Sequence, residues 1–169
     1  MHSDSNSGGI RDAWNKTYSL NVTSTQVITH QFMALLLKSS DPRLIFVTSG
    51  LSSLTTTSGG LVSKVTVSSP TKGWPKPPSM SQVAYRSSKS ALNMMMLDWV
   101  QLLEPDEVRV FCISPGFLAT NLGGLGPEML KKFGAGDPSV GGNFIKDVVE
   151  GKRDNDAGKV LSKDGVQPW

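Results

Sequence analysis

The chain has 169 residues, 38% of them hydrophobic and 18% charged, which supplies one modest core and excludes a chain disordered throughout. Its net charge of +3 and pI near 9.1 come from dispersed lysines, and no basic stripe with interleaved aromatics marks a nucleic-acid surface. Cys112 is the only cysteine, so no intrachain disulfide can form; with no secretory signal and no membrane-length apolar run, the expectation is a single cytoplasmic domain spanning 1–169, with neither nucleic-acid nor membrane partner.

A polar leader of about nine residues precedes a long helical pattern from about Ile10 to Leu37, in which Trp14, Tyr18, Val22, Phe32, Leu35 and Leu36 recur at near-helical spacing. Asp41-Pro42 ends it. The apolar run Leu44 to Val47 reads as a parallel strand covered on both faces. From Gly50 to Ser79 the chain is rich in Ser, Thr, Gly and Pro, and its proline density argues against helix. A second helix is expected from about Ser81 to Leu103, with Tyr85, Ala91, Leu92, Met95, Met96, Trp99 and Leu102 broadly on one side. Glu107 to Ile113 reads as a strand broken by Pro115-Gly116, with Cys112 as a buried inert thiol. A short helix follows at Pro127 to Phe133, then one from Asp137 to Glu150 with Asp137 as N-cap, Pro138 in its first turn and Gly151 as its stop. Gly158 to Ser162 is a candidate last strand. This alternation gives an α/β fold with a small parallel sheet.

The chemistry-bearing segment is Tyr85-Arg86-Ser87-Ser88-Lys89. A phenol ionises near pH 10, and an ammonium one helical turn away lowers that value towards neutrality, where the phenol can exchange protons. The spacing alone is weak evidence. It stands, however, in ordered company: Asn21-Val22-Thr23 in the first long helix, Ser49 at the end of the first strand, and Ser-Pro-Gly-Phe-Leu-Ala-Thr from Ser114 to Thr120 after the next.

Together these signals resemble the short-chain dehydrogenase/reductase family, from about Ile10 to the C-terminus and in the family's own order. The resemblance implies a Rossmann-like doubly wound fold and hydride transfer between NAD(P) and a small or polyketide-like carbonyl or alcohol substrate. It assigns Tyr85 as general acid or base and Lys89 as the ammonium that tunes Tyr85 and holds the nicotinamide ribose. Ser49 becomes the hydroxyl that orients the substrate oxygen, with Thr48 and Ser52 as neighbouring alternatives. Asn21 matches an asparagine that relays protons through water to the lysine. Pro115, Gly116 and Thr120 match the turn that meets the nicotinamide carboxamide.

Two departures qualify the match. The family's N-terminal strand, Gly-rich turn and pyrophosphate-binding helix have no counterpart: Gly8-Gly9 follows no strand, and Gly123-Gly124-Leu125-Gly126 lies after the last motif. The expectation is therefore a truncated Rossmann-like fold, the catalytic C-terminal half, in which nicotinamide binding by the isolated chain is doubtful. The stretch 50–79 is also longer than most members carry, as a lid, a specificity loop or a neutral insertion. The runner-up function is a cofactor-free isomerase or dehydratase, or a non-catalytic partner subunit, of the same ancestry. A homo-oligomer formed through the two long helices is expected, with the strand at Leu44 to Val47 left as an apolar edge.

Overall fold

The computed structural model describes residues 7–60, 72–74 and 82–169. Its centre is a four-stranded sheet in the order β1 (Arg43–Val47), β2 (Arg109–Ser114), β3 (Val160–Ser162), β4 (Gly165–Val166). The first two pairings are parallel and the last antiparallel. The three strands read from the sequence are parallel, as expected, and β4 adds an antiparallel edge: Lys163-Asp164 turns the chain back between Ser162 and Gly165, and Gly165 takes φ +130°, a value open to glycine.

Helices cover both faces. On one side, α4 (Val83–Leu102) places Leu92, Met96 and Trp99 against Phe46, Val110, Cys112 and Val160. On the other, α6 (Pro138–Val149) places Phe144 and Val148 against Phe111, Ile113 and Leu161. Successive residues of β2 enter opposite cores because side chains alternate across a strand, and all from Val110 to Ile113 are buried. Burying each large apolar side chain there contributes about 1.5–3 kcal/mol, so β2 is the structural spine. Burial pushes the Cys112 thiol up to about 12, which keeps it protonated and unreactive near neutrality.

The first long helix runs as α1 (Ser7–Tyr18), a π-turn (Ser19–Thr23) and α2 (Ser24–Leu36). It therefore starts inside the expected polar leader. The π-turn shifts the register by one residue at the position of Asn21, which simple helical periodicity does not reveal.

Two further boundaries moved. The strand expected from Glu107 begins at Arg109, because Glu107 adopts the left-handed conformation at φ 54°. The stretch 50–79, read as free of helix, opens with a one-turn 3-10 helix (Gly50–Ser52) and α3 (Leu54–Ser58), capped by the Ser49 and Ser53 side chains. Its prolines all lie further on. Residues 61–71 and 75–79, and with them most of the proposed insertion, fall outside the described residues.

At the N-terminal end of the sheet, Arg43 bonds Asp154 (Nη2 to Oδ2, 2.9 Å) and Asp41 (3.0 Å), while Arg109 also pairs with both aspartates. Arg43 holds the Asp154 carboxyl below the usual range. Gly151 closes α6 beside this network, where a side chain would crowd Arg43 and Asp154 at 3.2–3.3 Å. Among the described residues no helix is long and apolar enough to cross a membrane.

Candidate active site

Parallel pairing sends β1 and β2 out of the sheet at the same end. Val47 stands opposite Ile113, and Thr48 N donates to Ile113 O at 2.8 Å, so Ser49 and Pro115 leave side by side. Ligands of open α/β sheets bind outside the carboxyl ends of the strands, which is where this pair lies. Ser49 is extended (φ −152°, ψ 149°), and its Oγ accepts from Leu51 N at 3.2 Å. Accepting one N–H leaves the hydroxyl proton available to donate elsewhere.

The first turns of α4 carry Tyr85 and Lys89. Lys89 Nζ lies 5.8 Å from the centroid of the Tyr85 ring and donates to Val47 O at 2.9 Å, which ties the ammonium to the strand that ends at Ser49. An ammonium has three donors, so two remain. Burial lowers the Lys89 pKa below the ordinary 10.5. A Cys112 thiolate would oppose that shift, but the thiol is neutral at physiological pH, so desolvation decides.

A buried polar brace fixes α4 to the segment after β1. Thr48 Oγ1 donates to Asn93 Oδ1 at 2.7 Å, Asn93 Nδ2 donates to Ser52 Oγ at 2.9 Å, and Ser90 Oγ donates to Ser52 O at 2.8 Å. Thr48 and Ser52, the neighbouring alternatives to Ser49, are therefore committed to internal bonds and almost fully buried. Asn93 went unnoticed in the sequence. Its signal was positional: it lies one helical turn beyond Lys89, a polar residue on the buried side of the helix.

Asn21 reaches the motif through Ser88. Its Nδ2 donates to Ser88 Oγ at 2.9 Å, and Ser88 Oγ donates to Tyr85 O at 2.7 Å. Ser88 is fully buried, so this link joins the π-turn to the Tyr85 turn of α4.

Pro115 and Gly116 form the turn after β2, where Gly116 takes φ +102° and nothing lies within 4 Å of the place a Cβ would occupy. The turn is held by Gly136, whose N donates to Phe117 O at 2.9 Å and whose O accepts from Ala119 N at 2.8 Å. Thr120 Oγ1 accepts from Leu122 N at 3.2 Å, and no hydrogen bond among the described residues joins it to Tyr85 or Lys89. Gly141 of α6 packs beneath: a Cβ there would stand 2.5 Å from Leu118 Cδ1 and 3.2 Å from Pro115 Cβ. Gly141→Val is expected to destabilise the chain by about 2 kcal/mol through overpacking. Gly142→Ala, with open space at that position, is expected to stabilise it by up to about 1 kcal/mol through helix propensity. Denaturant midpoints of the two variants check the contrast.

Known proteins resemble this chain in sequence and in fold. The family described as short chain dehydrogenase matches residues 52–129. The short-chain dehydrogenase/reductase tropE of Talaromyces stipitatus is 51% identical over 163 residues, covering 95% of this chain and 60% of the relative. The short-chain dehydrogenase/reductase eupG of a Phoma species is 49% identical, covering 94% of this chain and 59% of the relative. The chain thus spans about 60% of the length of the curated relatives it matches. An NADPH-bound carbonyl reductase from chicken fatty liver superposes with a TM-score of 0.68 at 18% identity, covering 92% of this chain and 57% of that one, a likeness of Rossmann-like fold alone. With its four-stranded α/β core and these relatives, the chain belongs to the short-chain dehydrogenase/reductase family.

Proposed function

We propose that the chain carries the catalytic centre of an NAD(P)-dependent carbonyl reductase or alcohol dehydrogenase acting through Ser49, Tyr85 and Lys89. The observation that carries this reading is the Lys89 ammonium, seated 5.8 Å from the Tyr85 ring and hydrogen-bonded to the strand that delivers Ser49. The residues present fit the nicotinamide end of the cofactor. Gly116 leaves open space at its Cβ position, and Lys89 keeps two donors for ribose hydroxyls. Tyr85, Lys89, Pro115, Gly116 and Thr120 would hold that end. NAD(P)H supplies a hydride when bound.

In this reading Ser49 donates its hydroxyl proton in a hydrogen bond to the carbonyl oxygen and orients it. As the carbon receives the hydride, Tyr85 transfers its phenolic proton to the developing alkoxide. Lys89 stabilises the phenolate left behind, and Asn21, through Ser88, holds the Tyr85 turn in place. Reduction with NADPH deuterated at the transferred position tests this: deuterium on the carbinol carbon supports the reading. Substrate turnover without any nicotinamide would transfer the assignment to a cofactor-free isomerase or dehydratase.

The rate is expected to fall as pH rises through the lowered Lys89 pKa, because the ammonium is lost there, so the alkaline limb lies below pH 10.5. Lys89→Arg keeps its charge to much higher pH, and its limb is expected to move upward. A kcat profile from pH 7 to 11 reads both.

The small carbonyl or alcohol substrate is read from family chemistry, and a homo-oligomer is proposed from the surface. Along the groove between α2 and α4, Val27 and Leu102 are 52% and 65% exposed, with Phe32 and Leu35 open nearby. Such an apolar face favours self-association, and β1 adds an edge strand among the described residues. Light scattering at tens of micromolar is expected to show dimers or larger species; a monodisperse monomer would contradict this.

A further inference from the structure

We propose that Gln167, which no sequence motif marks, is a positioning residue for Ser49; this rests on the Ser49 role proposed above. The β3–β4 hairpin turns at the catalytic end of the sheet, and just after β4 Gln167 N donates to Val160 O at 2.8 Å, which anchors its backbone. Its Nε2 then reaches Ser49 O at 3.4 Å and Ser52 Oγ at 3.3 Å. An amide nitrogen has two protons, one for each oxygen. The same Ser49 carbonyl accepts from Ser52 N at 3.0 Å and Ser52 Oγ at 2.6 Å.

The effect is to fix the peptide that follows Ser49 from a direction that α4 does not supply. Asn93 and Ser90 hold Ser52 from the helix side, and Gln167 holds Ser49 and Ser52 from the C-terminal hairpin. Two further contacts run in parallel: Trp169 O accepts from Ser53 Oγ at 3.1 Å and from Thr55 N. A Cβ at Gly50 would lie 3.8 Å from Gln167 Oε1, so the amide lies against the loop itself. Both Nε2 bonds are long, which makes each weak and their sum modest. Rotation of the 49–52 turn changes where the Ser49 hydroxyl points, so even a modest restraint sets the fraction of time it is aimed productively.

The test uses the 169-residue chain and its Gln167→Ala and Gln167→Glu variants. Amide hydrogen exchange is followed at Leu51, held by Ser49 Oγ, and at Ser52, held by Ser49 O, with the β2 amides as reference. Exchange at Leu51 and Ser52 is expected to rise about 3- to 10-fold in the alanine variant. The glutamate variant should match or exceed it, since its carboxylate meets the Ser49 carbonyl acceptor to acceptor. The β2 amides should not change. In turnover assays kcat should fall by a similar factor while KM for the nicotinamide stays constant. Unchanged exchange at Leu51 and Ser52 overturns the proposal, as does a uniform rise that includes β2, which is the signature of general destabilisation. If Ser49→Ala lowers kcat but neither Gln167 variant does, the positioning role fails while the Ser49 reading stands. If Ser49→Ala leaves kcat intact, the catalytic reading itself is lost, and the positioning role falls with it.

Discussion

Tyr85→Phe is expected to lower carbonyl turnover by about 10²- to 10⁴-fold, the range for loss of a positioned general acid. The substitution removes one oxygen from a half-buried ring in the first turn of α4. That helix is held further along by Leu92, Met96 and Trp99 in the core and by the bonds of Ser90 and Asn93 to Ser52, none of which involves the phenol. Lys89 keeps its bond to Val47 O whichever ring stands at position 85. The melting temperature should therefore move little while kcat and kcat/KM fall together, as expected for an interaction made only in the transition state. Steady-state rates at millimolar reduced nicotinamide, compared with thermal melts of the same preparations, decide the matter. A phenylalanine variant as fast as the parent would remove Tyr85 from the reaction.

The second large effect concerns affinity. The 169-residue chain is expected to bind NADH or NADPH no more tightly than about 1 mM, a free energy near −4 kcal/mol. Dinucleotides draw much of their binding energy from a pyrophosphate held at a helix N-terminus behind a glycine turn. Among the described residues α5 (Pro127–Lys132), behind Gly126, has only six residues. The N-terminus of α6 is taken by Asp137, whose carboxylate accepts from Ser139 N at 2.8 Å and is held below its ordinary pKa by that bond. An ionised carboxylate there repels a phosphate. What remains are contacts to the nicotinamide end from Tyr85, Lys89, Pro115, Gly116 and Thr120. Titration calorimetry or reduced-nicotinamide fluorescence measures the constant directly, and micromolar affinity would show that the chain holds the whole dinucleotide by itself.

Much of the fold could be read from short-range pattern. The apolar run at Leu44 to Val47, the alternation through Val110 and Cys112, and the Asp137-Pro138 start of the last helix became β1, β2 and α6, because hydrophobic period and cap chemistry act over a few residues. Tyr85 and Lys89 were legible for the same reason: one helical turn separates them, so their proximity is local geometry. The family assignment rested on the order of such local motifs and held.

Other features depended on contacts between distant segments. The π-turn at Ser19–Thr23 is a register shift within a helix, and the bond from Asn21 to Ser88 joins positions 67 residues apart. Thr48, Ser52 and Asn93 look like ordinary polar residues in the sequence and become a buried brace only when α4 lies across the end of β1. Gln167 is 118 residues from Ser49, and the antiparallel turn at β4 brings it there. The sequence by itself determined most of the main strands and helices and which side chains are proposed to bear the chemistry, since propensity, periodicity and one-turn spacing are properties of neighbouring residues. The tertiary structure alone decided which hydroxyl stays free to donate and which are used internally, because that depends on the partners a packed core brings within hydrogen-bond reach.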